Sequence, residues 1–160
     1  MAIDRYTIKL KSYDDVFIEK LAGGTLYPGM LLALNSSDTF VVHSDDAPAA
    51  ACVPIFAIED ALQGKGVDDA YASGDWVRGW VAGRGDVVYA LLEDGANIGI
   101  GDYLESNGSG YLQKFTSGNG AVAIALEALN LSGSDSSDAP DPNNPVSPFG
   151  YNRRIKVMVI

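Results

Sequence analysis

Glycine followed by aspartate opens an extended run at three places in this chain, and that repeat restricts the fold more than any other feature. Gly74-Asp75-Trp76-Val77 and Gly101-Asp102-Tyr103-Leu104 are the close pair, and Gly85-Asp86-Val87-Val88 is a looser third. Glycine reaches the positive φ that a tight corner demands, and a short aspartate carboxylate hydrogen-bonds backbone N–H groups beside it. The residues that follow then start a strand. A chain built from such corners turns often and runs straight only briefly.

The straight stretches carry a period of two. In "YTIKLK", Tyr6, Ile8 and Leu10 share one face, and Thr7, Lys9 and Lys11 the other. In "DWVRGWVA", Trp76, Arg78 and Trp80 alternate with Val77, Gly79 and Val81. "TFVVHS", "CVPIFAIE", "DVVYALLE", "AVAIALEAL" and "RIKVMVI" complete the series, and Pro54 suits an edge or a strand start. Many short strands joined by glycine turns predict an all-β protein, a compact β-sandwich or β-barrel. One or two short helices fit beside them. "VFIEKLAGG" has acids before it and glycines after it and reads as one or two helical turns. "AVAIALEALNL" suits a helix by its Ala, Leu and Glu, but the alternating Val122 and Ile124 favour a strand. The 160 residues fit one domain spanning 1–160, with residues 1–20 as an N-terminal arm. With 47% hydrophobic residues, there is ample material for a core.

Residues 132–150, "SGSDSSDAPDPNNPVSPFG", break the pattern. They hold Pro140, Pro142, Pro145 and Pro148, four of the seven prolines, and offer little to bury beyond Phe149. This is a long Pro/Ser/Asp-rich loop inserted before a last strand, serving either as a binding arm or as a spacer.

The formal charge of −10 argues against nucleic acid and anionic lipid, because those polyanions are bound by Lys and Arg displacing counterions. Arg153, Arg154 and Lys156 form the densest basic cluster and lie in the last strand. Cys52 is the single cysteine, which rules out an intrachain disulfide; among apolar neighbours it reads as a small buried hydrophobe. With one His (His43) and one Cys, no zinc-ligand spacing exists. No apolar run approaches the roughly 20 residues of a membrane span, and "MAIDRYTIKLKSYDD" lacks a signal-peptide core, so synthesis in a cytoplasm is expected. Gly99 and Gly101 begin a dinucleotide loop, but Leu104 stands where its third glycine belongs and turn residues replace the helix. Gly64-Lys65 would need a glycine at position 59, which is Glu59. Ser109 lacks a nucleophile-elbow frame. The acid pairs Asp45-Asp46 and Asp68-Asp69 read as turn acids, and the oxygen-rich 132–150 loop lacks calcium-loop spacing. No catalytic, cofactor or metal residue is assigned, and the chain reads as a non-enzyme.

The order of the pieces carries a resemblance. "IEDALQGKGVDDAYASGDWVRGWVAGRGDVVYALLEDGANIGIGDYLESNGSGYLQKFT", followed by "AVAIALEAL" and a final "RRIKVMVI", resembles tailed-phage head decoration (capsid cement) proteins, most closely over residues 59–129. The resemblance implies a β-rich virion protein on the outer capsid surface, made in the host cytoplasm. It also implies binding to the major capsid protein, clustering as a trimer, reinforcement of the shell and no catalysis. Three contact elements are expected. The first is the N-terminal segment with Tyr6, Ile8 and Leu10, suited to adding a strand to a neighbour. The second is the 132–150 loop with Pro140, Pro142, Pro145 and Phe149. The third is the Trp76/Arg78/Trp80 face, which reads as core packing, a contact between copies, or an aromatic platform. The last possibility supports an alternative, a carbohydrate- or host-surface-binding β module.

Overall fold

The computed structural model describes residues 5–44, 53–116, 120–133 and 152–160. Cys52, Asp45, Asp46 and most of the 132–150 loop, including Pro140, Pro142, Pro145 and Phe149, lie outside the described residues.

The described chain is all-β. Its strands are β1 (Lys9–Lys11), β2 (Phe17–Leu21), β3 (Leu31–Leu34), β4 (Phe40–Val42), β5 (Ile55–Ala57), β6 (Trp76–Val81), β7 (Val87–Leu91), β8 (Asn97–Ile98), β9 (Tyr103–Ser106), β10 (Leu112–Lys114), β11 (Ala123–Ala125), β12 (Leu129–Asn130) and β13 (Arg154–Val159). Every strand pairing is antiparallel. One sheet runs β1-β7-β13-β11-β9-β10, a second runs β2-β6-β5-β3-β4, and β12-β8 forms a small ribbon. Neither large sheet closes into a barrel among the described residues, and the arrangement fits a sandwich.

The alternation seen in the sequence assigns the faces. Leu31, Phe56 and Trp80 from the five-stranded sheet meet Val88, Leu104, Ala123, Ile155 and Val157 from the six-stranded sheet in one shared core. The neighbouring residues Leu32, Ile55, Ala57 and Val77 point the other way, into a second core with Phe40, Leu26, Met30 and Tyr71. The middle of the five-stranded sheet, β5 above all, is therefore buried on both faces. That explains why "CVPIFAIE" is nearly all apolar while "YTIKLK", at a sheet edge, alternates.

Two sequence expectations resolve here. "AVAIALEALNL" forms strands β11 and β12, as the β-branched alternation predicts. "VFIEKLAGG" is not helical: Phe17–Leu21 is strand β2, paired residue for residue with β6 from Phe17↔Trp80 to Leu21↔Trp76. Its local helix propensity is modest, and a five-residue ladder on an otherwise open edge outweighs it. The only helical element described is a single 3-10 turn, Ala61–Gln63.

Gly79 shows how tightly the second core is set. A Cβ there would sit 2.6 Å from Phe40 Cζ and 2.8 Å from Ile55 Cγ2. Phe40, fully buried, packs directly onto the bare backbone of β6. We expect Gly79→Ala to cost about 1–3 kcal/mol in urea unfolding, because overpacking forces Phe40 off its rotamer. An unchanged midpoint would mean that the ring moves freely.

Candidate binding surface

The glycine–aspartate repeat is structural. At each copy the glycine has a positive φ: 89° at Gly74, 91° at Gly85 and 86° at Gly101. The aspartate N–H bonds back to the carbonyl three residues earlier, while its carboxylate accepts the N–H of that same residue. The carboxylate bonds are Ala72 N to Asp75 at 2.9 Å, Gly83 N to Asp86 at 2.8 Å and Gly99 N to Asp102 at 2.8 Å. Asp69 makes the same reciprocal pair with Gly66. The residue after Asp75, Asp86 or Asp102 begins β6, β7 or β9. Lys114 at 2.8 Å, and then the Gly99 N–H, hold the Asp102 carboxyl below the usual carboxylate range. Gly99 and Gly101 thus belong to a locked corner.

The N-terminal segment is strapped down by carboxylates from distant parts of the chain. Arg5 makes a two-toothed pair with Glu127 at 2.8 and 3.0 Å, and Glu127 also accepts the Lys156 N–H. The Ile8 N–H donates to Glu59 at 3.0 Å, and the Tyr13 N–H to the buried Asp86 at 2.9 Å. Within the strap, Lys9 and then Ser12 donate to Asp15 and lower its pKa. Ile8 is 0% exposed and belongs to the shared core; Leu10 packs against that core from β1, which pairs with β7 of its own chain. Tyr6, at 93% exposure, points away with Tyr13 and Val16. Of the three N-terminal candidates, only Tyr6 is therefore free for a partner.

The Trp76/Arg78/Trp80 face divides in the same manner. Trp80 is 0% exposed and fills the shared core, whereas Trp76, at the start of β6, is 66% exposed. Arg78 stacks over Phe17, 4.6 Å from the ring centroid, with Glu19 3.4 Å from its Nε. The shared face was legible from the alternation. The depth of each residue under the second sheet was not.

Trp76 instead joins residues that no binding motif in the sequence had gathered. With Asp60, Gln63, Lys65, Tyr71 and Asp75 it lines an open pocket of about 370 Å³. Tyr71 is almost fully buried there, its hydroxyl donating to the Ile58 carbonyl at 2.6 Å. Burial, and then the Asp60 charge, push the Tyr71 phenol up to about 12. The basic cluster of the last strand is also structural: Arg153 donates to the Leu92 carbonyl and stacks on Tyr111, and Arg154 is 2% exposed. The acid pair Asp68-Asp69 is divided between Arg154 and the Gly66 corner. His43 Nδ1 lies 2.8 Å from Ser106 Oγ. No group of three or more His, Cys, Asp or Glu suited to a metal is found among the described residues, and no described helix is long and apolar enough to cross a membrane.

No protein-family model and no curated protein matches the chain.

The raised Tyr71 phenol gives a pH signature. The unfolded chain ionises near 10.0 while the native phenol keeps its proton to about 12. Its stabilisation is complete below the lower value and is lost as pH climbs through the upper one. Stability measured by urea unfolding is expected to fall across that window, less steeply in Tyr71→Phe than in the parent. Equal slopes would place the titration elsewhere.

Proposed function

We propose that the chain is a non-enzymatic virion structural protein that docks on the outer surface of an assembled phage capsid and stabilises the shell. The observation that carries this reading is the N-terminal strap. Arg5–Glu127, Ile8–Glu59 and Tyr13–Asp86 fix its backbone across the body of the protein, and Tyr6, Tyr13 and Val16 are left facing outward. Exposed tyrosines on a pre-ordered backbone suit an interface, because they bring large contact area at low entropic cost. The resemblance over residues 59–129 supplies the identity of the partner, the major capsid protein, and favours a trimer. The charge of −10 keeps such a protein off the packaged genome.

The purified chain is expected to co-sediment with undecorated heads of its phage and to raise the temperature at which they rupture. Light scattering on free and head-bound protein reports whether three copies cluster. Tyr6→Ala combined with Tyr13→Ala should weaken head binding about tenfold or more while leaving the unfolding midpoint in place, since both side chains are exposed. Absence of co-sedimentation at every ionic strength would sink the proposal.

A further inference from the structure

We infer that the pocket beside Trp76 is a binding subsite for a neutral saccharide. The inference is independent of the capsid reading and rests on a different part of the surface. Trp76 is a large apolar side chain left mostly in water at a strand end, whereas the other tryptophan of the chain is completely buried. Leaving an indole exposed forgoes the stabilisation its burial would bring, so an exposed ring beside a concavity is a candidate platform. Such a ring matches the C–H face of a pyranose. At about 370 Å³ the pocket lies near the lower end of small-molecule sites, roughly 300–1,000 Å³, and accommodates one or two sugar rings.

The polar groups around the ring narrow the ligand class. Asp60 and Gln63 come from the 3-10 turn region, Lys65 follows it, and Asp75 is the corner lock. The side chains of Asp60, Gln63 and Lys65 make no hydrogen bond to any described residue, while Asp75 uses one carboxylate oxygen on Ala72 N–H. The pocket thus offers carboxylate acceptors, an ammonium donor and an amide that does both. A phosphate or sulfate would face two carboxylates, and an organic cation would face Lys65. A neutral polyol uses both kinds of partner and meets no like charge. The pocket walls are ordered in advance: Tyr71 is tied to the Ile58 carbonyl, the Lys65 N–H bonds the Asp60 carbonyl at 3.1 Å, and Gly74 and Asp75 form the locked corner.

The test uses the full chain and proton–nitrogen correlation spectra, in which the exposed Trp76 indole N–H is distinct from the buried Trp80 one. Probes are glucose, galactose, N-acetylglucosamine and their disaccharides, each to about 50 mM, which reaches affinities weaker than millimolar. Tetramethylammonium chloride and sodium phosphate serve as the charged comparators. At least one sugar is expected to shift the Trp76 indole and the amides of 60–65 and 71–76 saturably. Trp76→Ala and Asp60→Asn should each weaken that binding about tenfold, with the Trp80 signal unmoved to show an intact fold. No saturable response to any sugar, stronger binding of either charged probe, or full binding by Trp76→Ala would overturn the proposal. Head binding is read separately: Trp76→Ala should still co-sediment, and the Tyr6/Tyr13 variant should still bind sugar.

Discussion

The buried guanidinium of Arg154 holds the two sheets in one arrangement. It projects from β13, in the middle of the six-stranded sheet, and reaches the turn at Pro28 and the segment at Val67 and Asp68. Its Nη1 bonds Asp68 at 2.7 Å, and its remaining nitrogens bond the carbonyls of Pro28 and Val67. Pro28 and Gly29 form the turn before β3, where Gly29 has a φ of 92° and a side chain would crowd the Tyr89 carbonyl beside Arg154. Val67 and Asp68 lie ahead of Tyr71. One side chain therefore satisfies two loops whose backbone carbonyls would otherwise be buried without donors. Charges this deeply buried are tolerated only when fully paired, and loss of one partner typically costs about 3–5 kcal/mol.

The same economy runs through the acids. A charge of −10 suggests a surface coated with carboxylates. Much of that charge instead does backbone work. Asp69, Asp75, Asp86 and Asp102 each close a corner, and Glu59, Asp86 and Glu127 pin the N-terminal strap. Asp86 serves in both groups, one oxygen to Gly83 and the other to Tyr13. Fold and strap are coupled through that carboxylate, so the outward display of Tyr6 and Tyr13 depends on a corner more than seventy residues away in the sequence.

What could be read in the sequence was local. The corner at Gly74-Asp75 involves four consecutive residues, so its chemistry is visible in the letters. The strand identity of 123–125 follows from alternating branched residues. The failures share one cause, which is pairing with a distant segment. Phe17–Leu21 becomes a strand because β6, sixty residues later, offers an edge. Trp76 and Trp80 look equivalent on their strand, but one lies beneath the six-stranded sheet and the other projects beyond it. Asp60, Gln63 and Lys65 carry no motif; only the return of the chain through Tyr71 sets them beside the indole. The strap residues Glu59 and Glu127 were equally silent, since a carboxylate that receives a backbone N–H leaves no spacing to recognise.

The position of β13 has a kinetic consequence. Residues 154–159 lie between β7 and β11, so the β1-β7 pair and the β11-β9-β10 group are joined, before this segment arrives, by no ladder beyond the single Leu92–Leu112 bridge. Locked corners let each hairpin take shape early, but the sheet they belong to stays in two halves, each with a bare edge next to the gap. Joining them requires closing a long loop, the step that slows folding of β-rich chains. β13 is thus the latch of the six-stranded sheet. Until it engages, the nascent chain exposes two unpaired edges that any neighbouring strand of similar pattern can capture.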